Sequence, residues 1–249
     1  MRRFFVEEIK ERDGHTVISG SEARHISRVL RMNKGDHFIL MNGKGDRFEA
    51  VIESSGHQEL LVRLERVLPK PLPPSVEISL CQALVKSRAM DYLIEKSSEL
   101  GVNEIIPFFS ERTVIRLAQA MAADRVRRWR GIAQSAAKQS DRMKPAELSL
   151  PVSFRELMDK WRHDDDMKVI LWEKEESTDL KKLLRASPSS TRFIGMVGPE
   201  GGFSKMEIDM AKKAGFRPVS IGRRILRAET AAITLVAIVQ YEWGDLGMA

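Results

Sequence analysis

The sequence lacks several features that would define a class of protein at once. It has a single cysteine, Cys81, which excludes an internal disulfide and a cysteine-based zinc cluster. Its five histidines are scattered, and it contains neither a GxSxG nor an HExxH motif, so hydrolase and metalloenzyme functions find no support and no metal is expected. No apolar run approaches the roughly eighteen residues of a membrane span, and the first residues lack the apolar core of a secretion signal. We therefore expect a cytoplasmic protein without membrane association, in which Cys81 is a buried structural thiol.

Positive charge is present in excess and is unevenly distributed. The formal net charge is +6 and the isoelectric point is near 9.5. Residues 112 to 144 contain nine Lys or Arg and only two Asp. This segment therefore has a formal charge of +7, and the rest of the chain has a formal charge of −1. A solvated helix face would explain such a run, but the concentration of the whole excess in one segment favours contact with RNA.

The first 68 residues predict a small β-rich domain. Short apolar strands separated by glycine-containing turns are predicted at 2–6, 15–19, 37–42, 47–53 and 59–68. A helix is predicted over 21–32, with Arg24, Arg28 and Arg31 at positions i, i+4 and i+7. This spacing predicts a basic stripe, for which RNA contact and a solvated surface remain open alternatives.

A proline-rich linker and an α/β domain follow. Four prolines lie within residues 69–74, which predicts an extended, semi-rigid segment. From residue 75 to 249, predicted strands alternate with helices, which indicates a largely parallel sheet. The strands are 76–84, 104–109 and 167–172, and the helices are 87–100, 120–139, 154–161 and 178–184.

Two loops near the C-terminus carry the strongest pattern. The first, GPEGG at residues 198–202, has three glycines in five positions, and it lacks the lysine of a phosphate-binding P-loop. Because Glu200 would repel an anion, the loop favours a neutral or cationic ligand. Ser204 and Glu207 predict a capping box for the next helix, and Gly215 predicts its end.

The second loop, residues 221–227, leads into an apolar helix over 228–243. This helix is apolar almost all round and too short to cross a bilayer. Its second apolar face therefore predicts contact with another subunit, which gives a homodimer through the C-terminal helix. Because the carboxyl ends of parallel strands meet at one sheet edge, both loops are expected there together with the residues after 171.

The motifs GPEGGFS and IGRRILRAETAA resemble the paired C-terminal loops of the SPOUT methyltransferases, and their exact sequences are similar to those of the RsmE family. The resemblance extends across the whole chain. It implies a PUA-like β-barrel that binds RNA at 1–68. It further implies a SPOUT domain at 75–249, with a trefoil knot at about 167–235. It also implies S-adenosylmethionine as cofactor, methylation of N3 of a uridine in 16S ribosomal RNA, and the small ribosomal subunit as partner.

Candidate site residues follow from the loops and the resemblance together. Arg227 suits the stabilisation of negative charge developing on the uracil, and Glu229 is either a base or a first-turn partner of the helix dipole. Trp172 is equally explicable as core or as a wall of the cofactor site. The cofactor-binding candidates are Leu171, Trp172, Glu173, Gly198, Pro199, Glu200, Gly201, Ile221, Gly222, Ile225, Leu226, Thr230 and Ala231.

RNA-binding candidates lie outside the two loops. They are Arg24, Arg28, Arg31, Arg127, Arg128, Arg130, and the Gln139 and Arg142 of KQSDR, a segment that matches a polar motif of the family. Gln139 and Arg142 are equally explicable as surface residues at the end of a basic helix. Two alternative functions remain open: methylation of another position, such as a ribose 2′-oxygen or guanine N1, and a non-catalytic ribosome-assembly factor.

Overall fold

The computed structural model describes residues 1–56, 58–115, 119–163, 166–187 and 191–247. These residues form two compact units. The first comprises 1–72 together with 137–145, and the second comprises 73–136 together with 146–249. The sequence places the first domain in one continuous stretch, 1–68, whereas the first compact unit also includes the segment that contains KQSDR.

The first unit is built on a five-stranded sheet. Its strands are β1 (Arg3–Val6), β2 (His15–Ser19), β3 (His37–Asn42), β4 (Arg47–Ser55) and β5 (Glu59–Val67), in the order β1-β3-β4-β5-β2. β1 runs parallel to β3, and the other neighbouring pairs are antiparallel. Alternate side chains of each strand point into one core, which contains Phe4, Ile18, Phe38, Leu40 and Leu60. The strand predictions for this unit are confirmed to within two residues at each end.

The predicted helix over 21–32 is wrong in its length and regularity. An α-helix, α1 (Gly20–Arg24), passes directly into a π-helical turn (His25–Val29), in which the Leu30 N–H donates to the His25 carbonyl at 3.0 Å. Arg31 then adopts the left-handed conformation, with φ of 51°. Arg24, Arg28 and Arg31 therefore lie on α1, on the π-helical turn and beyond it, and not on one regular α-helix.

The KQSDR segment is held to the five-stranded sheet by polar contacts. Lys138 forms an ion pair with Glu22, and its ammonium lies 5.7 Å from the centre of the Phe4 ring. The carboxylate of Asp141 accepts hydrogen bonds from Arg47 at 2.7 and 2.9 Å and pairs with Arg3 at 2.8 Å. Asp141 therefore neutralises two basic side chains of the sheet, Arg3 and Arg47.

Replacement of Asp141 with Ala is expected to destabilise the first unit by ~1–3 kcal/mol, because it leaves the largely buried guanidinium of Arg47 without its carboxylate. Thermal or urea unfolding would measure the change. The matched control is Asp124→Ala, which removes an exposed pair with Arg127 and should cost less than ~1 kcal/mol. Equal effects of the two substitutions would contradict a structural role for Asp141.

The second unit contains a seven-stranded sheet. Its strands are β6 (Glu77–Ala83), β7 (Glu104–Phe109), β8 (Glu147–Leu148), β9 (Val152–Ser153), β10 (Met167–Leu171), β11 (Arg192–Val197) and β12 (Arg217–Val219). The main path runs β12-β10-β11-β6-β7-β8, and β9 also pairs with β7. All of these pairs are parallel, as the sequence predicts, although the two-residue strands β8 and β9 were not predicted.

Helices cover both faces of this sheet. They are α2 (Ser87–Glu99), α3 (Gln119–Gln139), α4 (Phe154–Trp161), α5 (Leu180–Ala186), α6 (Lys205–Lys213) and α7 (Ala228–Trp243). One core contains buried residues of α2, α5 and α7, such as Leu93, Leu184 and Leu235, and a second core contains residues of α4 and α6, such as Leu157 and Ile208. The α/β fold class is confirmed. Within the described residues, none of the helices is both long and apolar enough to cross a membrane.

Cys81 lies on β6 and is fully buried, which confirms the interpretation as a structural thiol. Burial raises the pKa of the Cys81 thiol to about 12. Because the thiolate is the reactive form, we expect negligible labelling of the native protein by a thiol reagent at pH 8, and complete labelling after unfolding in urea. Rapid labelling of the folded protein, followed by mass spectrometry, would contradict this placement.

Val219, the last residue of β12, and Ser220, which follows it, are hydrogen-bonded along opposite edges of this segment. The Trp172 N–H donates to the Val219 carbonyl at 3.1 Å, while Ser220 exchanges hydrogen bonds of 2.9 Å with Thr178 and Leu180. Since consecutive residues of a strand direct their hydrogen bonds to opposite edges, residues 173–177 must cross one face of this segment. Glu175 fixes the crossing loop by accepting hydrogen bonds from Ser177 and Thr178, and the Ser177 hydroxyl is the main cause of the lowered pKa of Glu175.

Candidate active site

A cavity of about 1010 Å³ opens at the carboxyl edge of the seven-stranded sheet and lies entirely within the second unit. Four chain segments line it: residues 86–92 after β6, 171–173 after β10, 197–203 after β11, and 219–231 after β12. Because all four strands are parallel, their following loops meet at the same edge, as in other open α/β sheets. The volume is that of a site for a drug-sized ligand.

The GPEGG loop is shaped by close contacts that its glycines permit. A Cβ on Gly201 would lie 3.2 Å from the Arg112 side chain, which donates to the Gly201 carbonyl at 3.0 Å. A Cβ on Gly202 would lie 2.8 Å from a carboxylate oxygen of Glu173, and Gly202 also has a φ of 66°. The loop therefore offers main-chain groups to the cavity and has little room for side chains of its own.

The helix after this loop begins and ends as predicted. Ser204 is the N-cap of α6, and the reciprocal bonds of a capping box with Glu207 are present. Glu207 is buried and also accepts a hydrogen bond of 2.9 Å from the Glu111 N–H. Gly215 follows the helix with a φ of 88°. The GPEGG loop is therefore fixed at both the start of α6 and the segment after β7.

The second loop turns sharply at Ser220–Gly222. The Ser220 hydroxyl donates to the Gly222 carbonyl at 3.1 Å and accepts from the Gly222 N–H at 3.2 Å, and Gly222 has a φ of 136°. Ile225 is 88% exposed, whereas Leu226 is half-buried. The loop ends at Arg227, which is the N-cap residue of α7 with an exposed side chain. Ile225 therefore offers an apolar surface at the opening of the cavity.

The structure brings together nearly all of the predicted cofactor and catalytic residues. The cavity is lined by Leu171, Trp172, Glu173, Gly198, Pro199, Glu200, Gly201, Ile221, Gly222, Ile225, Leu226, Arg227, Glu229 and Ala231. Trp172 also packs against the core beneath α4 and α6, and its contact with a cofactor stays a prediction. Thr230 differs, because it is exposed and does not line the cavity.

Several cavity residues were missed by sequence reasoning. Lys86, Arg88 and Tyr92 come from the start of α2, and Arg223 and Arg224 come from the second loop. The pattern that could have identified Lys86 and Arg88 is their position directly after strand β6, which ends at the same sheet edge as β11. The three-residue sequence Lys86-Ser87-Arg88 falls where strand changes to helix, a place at which parallel sheets present ligand-binding groups.

The predicted RNA-binding residues on α3 are engaged within the protein. Arg128 pairs with Asp91 at 2.7 Å, which raises the pKa of Arg128, and Arg130 donates to the Leu148 carbonyl at 3.0 Å. Arg127 pairs with Asp124 at 3.2 Å on the exposed surface. None of the three lines the cavity.

The remaining RNA-binding candidates belong to the first compact unit. Arg24, Arg28 and Arg31 are exposed. Gln139 is exposed and Arg142 is half-buried, and both lie in the KQSDR segment. A contact of these five residues with RNA stays a prediction.

Comparison with known proteins identifies the class. A model described as an RNA methyltransferase domain matches residues 72–240, and one described as an RNA methyltransferase PUA domain matches residues 18–65. The fold, the cavity and these two matches define an RNA methyltransferase with an N-terminal PUA-like domain. A curated relative from Synechocystis, named ribosomal RNA small subunit methyltransferase E, is 30% identical over 88% of this chain and 71% of its own length. The chain belongs to the family of the ribosomal RNA small subunit methyltransferase E proteins.

Two solved structures are similar over nearly the whole chain. A ribosomal RNA small subunit methyltransferase E from Neisseria gonorrhoeae, bound to S-adenosylmethionine, is 31% identical with a TM-score of 0.87, and the match covers 98% of this chain and 99% of that one. A protein from Legionella pneumophila, described as a methyltransferase in complex with the bound cofactor SAM, is 32% identical with a TM-score of 0.88 and 98% coverage of both chains. The predicted fold, with a PUA-like domain followed by a SPOUT domain, is confirmed.

Proposed function

We propose that the protein transfers a methyl group from S-adenosylmethionine to N3 of a uridine in 16S ribosomal RNA of the small ribosomal subunit. The observation that carries this proposal is the cavity at the carboxyl edge of the sheet, which gathers the GPEGG loop and the GRRILRAE loop around one space. Its volume and mixed apolar and main-chain lining suit a nucleoside cofactor. The names of the relatives, and the S-adenosylmethionine in two similar structures, support the same activity.

The cavity residues fit this cofactor in chemistry. Leu171, Ile221 and Leu226 provide apolar surface for an adenine ring, and the main chain of Gly198 to Gly202 provides donors and acceptors for polar groups. The crowding around Gly201 and Gly202 explains why this loop carries no side chain that would occupy the space. Glu173, Glu200 and Glu229 supply negative charge that is compatible with a sulfonium. When bound, the cofactor supplies an electrophilic methyl group.

The protein's own contribution is alignment and charge stabilisation. The N3 atom of uridine carries a proton at neutral pH, so its attack requires removal of that proton or stabilisation of the resulting anion on O2 and O4. Arg227 lies at the cavity wall with an exposed guanidinium, which suits it to the stabilising role. Glu229, two residues further on and half-buried, is the carboxylate nearest to Arg227 along the chain and is the candidate base.

Two structural proposals accompany the activity. The crossing of residues 173–177 over the segment at 219–220 supports a trefoil knot within about 167–235, because one connected segment bonds to both edges of this strand. The outer face of α7 supports a homodimer: Tyr241 is 65% exposed, and Ile233 and Ile238 are only half-buried. A role in ribosome biogenesis would place the protein in the cytoplasm.

Transfer of labelled methyl groups tests the proposal directly. The purified protein is incubated with labelled S-adenosylmethionine and small ribosomal subunits that lack their normal methylation, and the RNA is digested for mass spectrometry. Label in 3-methyluridine is the expected result. Label in a 2′-O-methylated nucleoside or in 1-methylguanosine would overturn the specificity, and binding of RNA without any label would favour the assembly-factor function.

A further inference from the structure

We propose that Lys86, Arg88, Arg223 and Arg224 form a phosphate clamp at the mouth of the cavity, which holds the backbone of the RNA strand that carries the target nucleotide. This proposal rests on the proposed function. All four residues line the cavity, and all four side chains are exposed. Lys86 and Arg88 follow β6, whereas Arg223 and Arg224 follow β12.

The order of the strands separates the two pairs across the opening. β10 and β11 lie between β12 and β6, so the strand ends that carry the pairs are three spacings apart. At ~4.8 Å for each spacing, the separation is roughly 14 Å. Two pairs of cations carried by these separate strand ends can contact successive parts of one RNA strand while the nucleotide between them enters the cavity. Extrusion of a base from its stack is how enzymes gain access to a base atom.

The positive charges at the mouth are only partly balanced by carboxylates of the cavity lining. In the part of the chain that the structure describes, the side chains of these four residues and of Arg227 form no ion pair or hydrogen bond. The cavity lining holds these five cations and three carboxylates, Glu173, Glu200 and Glu229. The lining therefore carries a net charge of +2, with none of its cations held in an ion pair within the described chain, and this excess attracts a polyanion.

The arginines of α3 differ from the cations at the cavity mouth, because they form contacts within the protein. Arg125, Arg128 and Arg130 of α3 each bond to a group of the protein: the Ser87 hydroxyl at 2.6 Å, the Asp91 carboxylate at 2.7 Å and the Leu148 carbonyl at 3.0 Å. Asp91 neutralises Arg128, and Arg125 and Arg130 already use part of their donor capacity on these contacts. Among the described residues, the side chains of Lys86, Arg88, Arg223 and Arg224 form no ion pair or hydrogen bond, so more of their charge and donor capacity is available to a phosphate.

A second source of anionic ligand is the carboxylate of the cofactor. One observation weighs against this source at Lys86: its own N–H lies 3.5 Å from the Glu200 carboxylate, so negative charge already occupies the inner side of this segment. The side chains of Lys86 and Arg88 are exposed at the mouth. An extended partner that lies across the opening matches this arrangement better than a group enclosed in the cavity.

The test compares two double variants with a matched control. The variants are Lys86→Ala/Arg88→Ala and Arg223→Ala/Arg224→Ala. The control, Arg155→Ala/Lys213→Ala, removes two exposed cations of the same unit that lie outside the cavity lining and have no partner in the described chain. Affinity for unmodified 16S ribosomal RNA transcribed in vitro is measured from 50 to 300 mM salt, and S-adenosylmethionine affinity is measured by calorimetry. Circular dichroism establishes that each variant is folded.

Each cavity-mouth variant is expected to lose at least about tenfold in RNA affinity at low salt, and its log–log salt slope should fall by about 1.4, since each single-strand phosphate contact contributes about 0.7. The control and the cofactor affinity should stay within about twofold of wild type. An unchanged slope in both folded variants overturns the clamp, and so does a loss confined to cofactor binding. If the slopes change as expected but the wild type transfers no methyl group, the clamp stands and the proposed methyl transfer fails.

Discussion

Arg227→Ala is expected to lower kcat by about 100- to 1000-fold, the loss typical of removing one group that stabilises developing negative charge. The guanidinium lies at the cavity wall, without a partner among the described residues, and is free to act on the substrate. Because it is exposed and caps nothing on α7 through its side chain, stability should change little. Single-turnover methylation of small subunits measures the chemical step, and calorimetry measures the affinity for S-adenosylmethionine.

The same experiment separates catalysis from cofactor binding. If Arg227 stabilises the uracil anion, cofactor affinity stays within about twofold while the chemical step slows. Equal losses in turnover and cofactor affinity would remove Arg227 from the catalytic role. Glu229→Gln is a useful companion: a base at this position predicts a comparable loss of turnover, whereas a first-turn partner of the helix dipole predicts a stability change of ~0.3–1 kcal/mol and nearly normal turnover.

Gly195→Ala is expected to destabilise the protein by ~1–3 kcal/mol, a large effect for the addition of one methyl group. Gly195 lies in the middle of β11, where α7 packs against the sheet. A Cβ at this position would approach the Leu235 Cδ2 to 2.6 Å and the Phe193 ring to 3.1 Å. Leu235 is fully buried, so it has little space into which to move. Urea unfolding followed by circular dichroism measures the loss.

A double-mutant cycle identifies the cause. Leu235→Ala alone should cost ~2–5 kcal/mol, because it leaves a cavity beneath α7. In Gly195→Ala/Leu235→Ala, the added methyl group occupies part of that cavity, so the combined loss should be smaller than the sum by about 1 kcal/mol or more. Strict additivity would show that the cost of Gly195→Ala comes from the strand itself and not from the contact with α7.

Elements specified by local patterns could be predicted from the sequence. The capping box of Ser204 and Glu207, the end of α6 at Gly215 and the bounds of α7 all depend on residues within a few positions of each other. The convergence of the two loops was also predictable, because parallel strands present their carboxyl ends at one edge. For these features, sequence spacing and three-dimensional position are directly linked.

Features that depend on distant residues were not predictable in this way. The π-helical turn at His25–Val29 contains no glycine or proline that would interrupt a helix, so its apolar spacing indicates an ordinary α-helix. The pairing of α3 arginines with Asp91 and Leu148 joins residues far apart in the chain, and a basic run alone does not reveal it. Lys86 and Arg88 lie more than a hundred residues before the GPEGG loop, although they line the same cavity.

The first compact unit combines two separate parts of the chain, and this affects how the unit folds during synthesis. Its sheet is complete at residue 67, yet the partners of Arg3, Glu22 and Arg47 lie at positions 138 and 141. A ribosome adding some 5–20 residues each second must therefore extend the chain for several more seconds before those partners emerge. During that interval the nascent domain carries an unneutralised Arg47 and an uncovered patch around Phe5 and Met41. A gene fragment that stops at the proline-rich linker would leave the domain in that unfinished state permanently.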